Sequence, residues 1–418
     1  MTAYNRENHG WRSYPRGLLV LALATFVLFL ARGMVLPFLM IYFAQIVGLG
    51  ESLAGAGIAL SSVVGVVATL ALARTIDRSG ARRILLLALL AMAAVHATLW
   101  LGRSPGLFLC LMSLFGIAIN VYWPASDTLA TAFLPLERAG EVFGLQRVAN
   151  ALGLGLGGLI GGWLVTGGDP AAYRTSFLVS SAGILCAALL IWWLVPAVHR
   201  RSALDRTALR GDWRGLLADR RFLASQLLLL LGVTGFTQCQ VSVPPFLREE
   251  AGFRERTIGA LFAVNTLVVV LAQVPVARWT TGRPFGHLFA ATGIGWAIAY
   301  ASFALAPQTA AAASVGVLVY SLAELLFMPV SGAVVVALSS PYQRARALAF
   351  ASVVWAIGWG GAAWIAGVLL ERQLAHVLWS GTVAVMLGLA VLAARLTAFL
   401  GGRPSTELPV SAGLERES

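Results

Sequence analysis

Residues 73–83 read ARTIDRSGARR and set five charges, Arg74, Asp77, Arg78, Arg82 and Arg83, around Gly80. The stretch lies between two long apolar runs, 52–72 and 84–102. A soluble helix hairpin has no use for so dense a charged knot between apolar segments. Two membrane helices joined on the cytoplasmic side do, because anionic lipid and the positive-inside bias favour arginine there. The knot is read as the turn of a membrane hairpin.

The rest of the chain agrees. Of its 418 residues, 59% are hydrophobic and 11% charged, against about 25% charged in soluble domains. Apolar runs at 18–47, 52–72, 84–102, 107–134, 143–166, 174–195, 223–247, 257–277, 286–306, 310–338, 347–370 and 375–396 are each long enough to span a bilayer, which takes roughly 20 residues per helix. The expected fold is an all-α polytopic membrane protein with twelve transmembrane helices. All 30 basic residues are arginine, and most fall in the segments that alternate with the N-terminus, which predicts cytoplasmic termini. The net charge of +12 then serves lipid contact, and no nucleic-acid partner is expected. Cys110, Cys186 and Cys239 sit in apolar runs and are expected to be free thiols.

The longest interruption, Pro196 to Phe222, is dense in Arg and Asp and divides the runs six and six. Residues 1–195 are read as an N-terminal six-helix bundle, 196–222 as a cytoplasmic linker, 223–396 as a C-terminal six-helix bundle and 397–418 as a cytoplasmic tail. The end of the linker, GDWRGLLADRRF, is predicted to form a short amphipathic helix on the membrane. An internal repeat supports two pseudo-symmetric bundles. Pro124–Gly144 and Pro329–Phe350 each hold a proline inside a run, a second at or just past its end, and then Arg138 or Arg344. Repeated halves of this kind place a transport site between two bundles.

The 73–83 stretch resembles the loop between the second and third helices of the major facilitator superfamily. That loop has Gly, three residues, Asp, Arg or Lys, one residue, Gly and then basic residues. Asp77, Arg78, Gly80, Arg82 and Arg83 match it, and Ala73 replaces the first glycine. In the fifth run Gly153, Gly157, Gly161 and Gly162 resemble the glycine motif of the superfamily's antiporters, with Gly158 where that motif has proline. The same glycines also read simply as close helix packing. RGMVLPF at 32–38 and a glutamate ahead of the tenth-run proline are similar to bacterial multidrug-resistance members. The resemblance implies a transporter and not an enzyme, without cofactor, in the bacterial inner membrane, with helices one, four, seven and ten around a central cavity.

Two ionisable residues stand mid-span, Arg32 in the first run and Glu324 in the tenth. Such charges cost about 2.5–3.5 kcal/mol each and are rarely kept without a use. Their opposite signs predict that they face one another or a shared watery cavity, as a proton-coupling pair or as a structural ion pair. Glu324 is the expected proton carrier, because burial and a nearby guanidinium act on a carboxyl in opposite directions. On the helices that the resemblance assigns to the cavity, Tyr42, Gln45, Asn120, Tyr122, Trp123, Gln238, Gln240 and Tyr320 are expected substrate contacts. Asn265, Trp355 and Trp359 join them from neighbouring helices. Few polar groups among many aromatics suit an amphipathic organic molecule. Asp127, by the resemblance, is expected to latch the charged loop, with Arg147 in the same cluster, and His96 is read as structural.

A chain without lysine holds no Gly-Lys-Ser/Thr phosphate loop, so ATP hydrolysis is not its energy source. No clustered His, Cys and carboxylate spacing points to a metal. The expected function is secondary active transport, as proton-coupled efflux of amphipathic compounds by alternating access. The alternative is proton-linked transport of a specific metabolite, a sugar or organic anion, anchored by Arg32. A more remote one is a non-transporting receptor or scaffold. Expected partners are a small-molecule substrate, protons and membrane lipid, and the chain is expected to be monomeric.

Overall fold

The computed structural model describes residues 14–134, 139–165, 167–196, 213–280, 282–339 and 343–400, which are helical with no β-strand. The first half holds α1 (Arg16–Gly33), α2 (Glu51–Ser79), α3 (Ala81–Thr98), α4 (Pro105–Thr131), α5 (Ala139–Leu164) and α6 (Pro170–Leu194). A short α7 (Trp213–Ala218) precedes the second half. That half holds α8 (Arg220–Val241), α9 (Val243–Glu249), α10 (Glu255–Thr280), α11 (Phe285–Ala304), α12 (Ala310–Ala337), α13 (Arg344–Glu371) and α14 (Ala375–Leu400). Helix starts follow from local chemistry. Asp169 caps α6 through the Ala171 amide with Pro170 behind it, and Asp219 caps α8 through the Arg221 and Phe222 amides.

Ten of these helices are long and apolar enough to cross a membrane. Helix α5, with Glu141 and Arg147, and helix α11, rich in alanine and glycine, bring the long helices to twelve. In the first half α1 packs on α5 and α6, α3 on α4 and α6, and α2 on α4. The second half repeats the scheme, with α8 on α13 and α14, α11 on α12 and α14, and α10 on α12. Leu87, Trp193 and Leu271 are more than 60% exposed. Water would penalise that surface, whereas hydrocarbon does not.

Two seams join the halves, α2 on α13 and α5 on α10. Both are backbone contacts between small residues. A Cβ on Gly55 would lie 2.4 Å from the Ala363 carbonyl oxygen, and one on Gly162 2.5 Å from that of Glu255. The antiporter-like glycines divide between neighbours: Gly153, Gly157 and Gly161 lie on α1, and Gly162 lies on α10.

Three boundaries differ from the sequence reading. The charged stretch is not a loop: α2 continues to Ser79, and the turn into α3 is Gly80 alone, at φ +85°, where a side chain would be strained. The first run breaks after Gly33 into a 3₁₀ turn (Leu36–Phe38) and a π-helical turn (Ile41–Ile46), because Pro37 cannot continue the ladder. The seventh run breaks at Ser242 for the same reason, ahead of Pro244 and Pro245. The predicted amphipathic segment overlaps α7, whose Trp213 and Leu217 are exposed while Leu216 is buried. The side chains of Asp77 and Arg78, the linker part 197–212 and the tail part 401–418 lie outside the described residues.

Candidate functional site

Glu324 stands in the middle of α12 with its side chain 9% exposed. Its carboxylate Oε2 accepts a hydrogen bond of 2.9 Å from Asn265 Nδ2, which donates equally to Ser321 Oγ. Tyr320, one turn earlier, donates to the Phe236 carbonyl at 3.1 Å and meets the Gln240 side chain. Phe236 in turn touches Trp355 and Trp359, each with ring centroids 5.9 Å away. Gln238 faces elsewhere, toward the Ala362 carbonyl and Ser242. In the second half Asn265 thus holds Glu324, while Tyr320 on the same helix connects through Phe236 to Trp355 and Trp359.

The first half has its own centre. The Arg32 guanidinium lies 5.1 Å from the Phe29 ring centroid and 5.5 Å from that of Phe115, whose faces attract a cation. Tyr122 is buried against Phe29 and shares a hydrogen bond of 3.2 Å with Thr25, which donates to Gln146 at 2.5 Å. Trp123 packs at a tilt against Phe29, ring centroids 5.3 Å apart, and is 39% exposed. Asn120 donates to the Gly116 carbonyl of its own helix and packs on Gly65. His96 borders the Arg32 centre and bonds to the Met92 carbonyl.

The ion-pair form of the expectation is not seen: no salt bridge joins Arg32 and Glu324 among the described residues. They belong to different halves and each is satisfied inside its own, the cation by aromatic faces and the anion by an amide. Small cavities of about 10 Å³ lie beside each centre, one lined by Arg32, His96 and Phe115 and the other by Cys239, Phe262 and Asn265. Such a space suits one water, whereas organic ligands occupy about 300–1,000 Å³. Asp127 has Arg147 as the cation acting on it. Arg82 donates to the Trp192 carbonyl and lies over the Trp192 ring.

Among the described residues, a set of polar bonds joins the halves at the end away from the termini. Arg248, paired within its own half to Glu255 Oε1 at 2.9 Å through Nε, donates across the halves through a terminal nitrogen to Gln45 Oε1 at 2.8 Å. Gln45 donates to Glu249 Oε2 at 3.0 Å, and Glu255 also accepts from Tyr173 and from the Gly167 amide. On the other flank the Ser52 amide donates to Glu371 Oε2 at 2.7 Å. Gln45, read as a cavity residue, therefore belongs to this clasp, and Tyr42 lies behind it, packed on Tyr173 and Phe177. Sequence reading missed Arg248, Glu255, Glu249 and Glu371. Each is one loop charge among many, and nothing in a single chain marks which of them pair across halves.

Two expected results follow from the clasp. Arg248→Ala removes the bond that Arg248 makes across the halves to Gln45; its ion pair with Glu255 lies inside the second half and does not itself oppose opening. A hydrogen bond from a charged donor is worth about 1.5–3 kcal/mol, and because Arg248 is 26% exposed the low end, about 1.5 kcal/mol or about tenfold in the closed-to-open ratio, applies. Spin labels on the Gly102–Ser104 and Arg372–Leu374 turns, with the three cysteines replaced, would report the longer distance; an unchanged distribution would refute it.

The second result is a pH dependence of the same distance. Burial, with Glu51 and Glu250 beside it, pushes the Glu249 carboxyl up. The closed arrangement thus holds the proton more tightly than the open one. Closing carries no ionisation penalty at low pH, where both arrangements are protonated, and the penalty grows as pH rises through the raised value. The labels should therefore move apart toward alkaline pH, and less so in Glu249→Gln.

Comparison with known proteins accords with the helix pairing. The Major Facilitator Superfamily model matches residues 21–254 and 239–417. A Na(+), Li(+), K(+)/H(+) antiporter of Planococcus maritimus is 27% identical over 83% of this chain and 88% of its own. The multidrug resistance protein MdtH of Salmonella newport is 27% identical over half of each chain. In solved structures the fold is similar to a peptide transporter POT in complex with sulfate (TM-score 0.75, 13% identity, 94% of this chain and 96% of that one). It is similar also to a D-xylose-proton symporter (TM-score 0.70, 17% identity, 93% and 98%). With twelve long helices in two repeated halves, the chain is a multi-pass membrane protein of the Major Facilitator Superfamily, a secondary transporter and not an enzyme.

Proposed function

We propose that the protein exports amphipathic, preferably cationic, organic compounds in exchange for protons across the bacterial inner membrane. The observation that carries the reading is Glu324: a buried carboxylate at mid-span whose hydrogen-bond donor is the neutral amide of Asn265. A carboxylate so placed gains from either a proton or an organic cation, and the two exclude one another. The cluster of Phe236, Trp355 and Trp359 in the same half suits the apolar part of such a substrate.

The arginine distribution orients the clasped end outward, so this arrangement is closed to the outside, and alternation requires the clasp to part. The name of the antiporter relative agrees with exchange against protons, and that of the multidrug relative with an organic substrate. The first of them also supports a second reading, with an alkali cation in the place of the organic one.

Proteoliposomes holding the protein and a trapped pH indicator separate these readings. Addition of ethidium is expected to trigger proton movement, with neutral drugs and organic anions weaker. Proton movement with sodium, potassium or lithium alone would favour the second reading. Response to organic anions alone would shift the anchor to Arg32 and overturn the proposal.

A further inference from the structure

Asn265 is not on a helix that the sequence assigns to the cavity, yet it makes the polar contact to Glu324. Its two amide hydrogens are both committed, one to Glu324 Oε2 and one to Ser321 Oγ, each at 2.9 Å. Ser321 spends its own hydrogen on the Val317 carbonyl at 2.6 Å, so it can only accept from Asn265. The orientation of the amide is therefore fixed as a donor toward α12. A proton on Oε2 would make that oxygen a weaker acceptor and compete with the N–H for its lone pairs. Protonation is therefore favoured at Oε1.

The other titratable groups facing Glu324 are Cys239 from α8, Tyr300 from α11 and Tyr320 from α12 itself. Both tyrosine hydroxyls are turned away, donating to the carbonyls of Gly235 and Phe236. The next residue along α10, Thr266, seats on Gly155 of α5, where a Cβ would come within 1.8 Å of its hydroxyl oxygen. Adjacent residues of one helix thus touch the mid-span carboxylate and the seam between the halves.

We propose that Asn265 is a positioning residue that holds the ionised Glu324 and ties its charge state to the α5–α10 seam. The role rests on the proton-exchange reading. Asn265 itself carries no proton to or from the substrate site. It stabilises the anion, assigns the incoming proton to Oε1, and gives α10 a bond that weakens when that proton arrives.

Infrared difference spectroscopy of the reconstituted protein tests this without a known substrate. The carboxylic C=O band that disappears in Glu324→Gln is titrated in the wild type and in Asn265→Leu. Loss of the donor is expected to move the midpoint alkaline by about one pH unit, tenfold in proton affinity. Asn265→Gln, which keeps the donor, should recover at least half of the shift, and Ser321→Ala should produce none. Asn265→Ser, too short to reach Glu324, replaces the leucine variant if that fails to fold.

An unchanged midpoint in the donor-free variants, an equal shift in Ser321→Ala, or a band that never appears would overturn the proposal. The ethidium assay on the same vesicles keeps the two ideas apart. Exchange that survives in Glu324→Gln removes Glu324 as the coupling group, and with it the reading on which the proposal rests, whereas exchange lost there with an unchanged midpoint in Asn265→Leu removes only the role of Asn265.

Discussion

Glu324→Gln is expected to lower ethidium-driven proton release in proteoliposomes by at least about a hundredfold, which corresponds to about 2.7 kcal/mol of barrier. Glutamine keeps the volume and still offers Asn265 an acceptor oxygen, so the α10–α12 contact and the fold survive. What it cannot do is ionise. No second carboxylate sits at this depth in α12, and Arg32 is occupied by the Phe29 and Phe115 rings in the other half. Initial rates of indicator change, set against equal amounts of protein with unchanged thermal unfolding, provide the measurement. A rate within about twofold of wild type, against the tenfold that each 1.36 kcal/mol would take away, would move the coupling proton to another group.

Gly157→Leu is expected to deny the chain its fold. In an exposed helix the change would gain about 1 kcal/mol of helix propensity. Here a Cβ would come within 2.2 Å of the Leu30 carbonyl oxygen and 2.9 Å of the Gly33 Cα. Both obstacles are main chain of α1, so no side chain can rotate aside, and α1 and α5 must separate over several turns. Overpacking of this kind costs about 1–3 kcal/mol or more. The loss of the adjoining Gly153 and Gly161 contacts adds to it, so the penalty exceeds the propensity gain several times over. Gly332→Ala is the matched control, since nothing lies within 4 Å of a Cβ there. The yield of monodisperse protein and its unfolding temperature in detergent distinguish them: the first variant should fall sharply and the second should hold or rise.

The spans were legible because every apolar run contains a long helix, and lipid imposes that by leaving no other partner for backbone N–H and C=O groups. The glycines of the fifth run were legible as packing residues for the same local reason. Less could be read where two segments distant in sequence decide the outcome. Gln45 looks like any polar residue near a helix end until Arg248 and Glu249, some 200 positions away, are brought to it. Arg32 and Glu324 looked like partners because depth and sign can be read from a sequence, whereas the aromatic faces and the amide that satisfy them separately depend on rotamers. The turn at Gly80 looked longer than it is, since charged residues at a membrane boundary serve a helix end as readily as a loop.

The two seams of small residues have a mechanical consequence. Their contacts at Gly55, Gly367 and Gly162 lie near the clasped end, so while the clasp is shut the helices that carry them can act as levers pivoted there. A helix of 29 residues such as α2 is about 43 Å long, and a tilt of about 10° about one end carries the other through about 7 Å. Backbone-to-backbone seams permit such a tilt with little repacking of side chains. The span of molecule sizes that the protein can admit is then governed by an angle and not by the cutting back of any single residue.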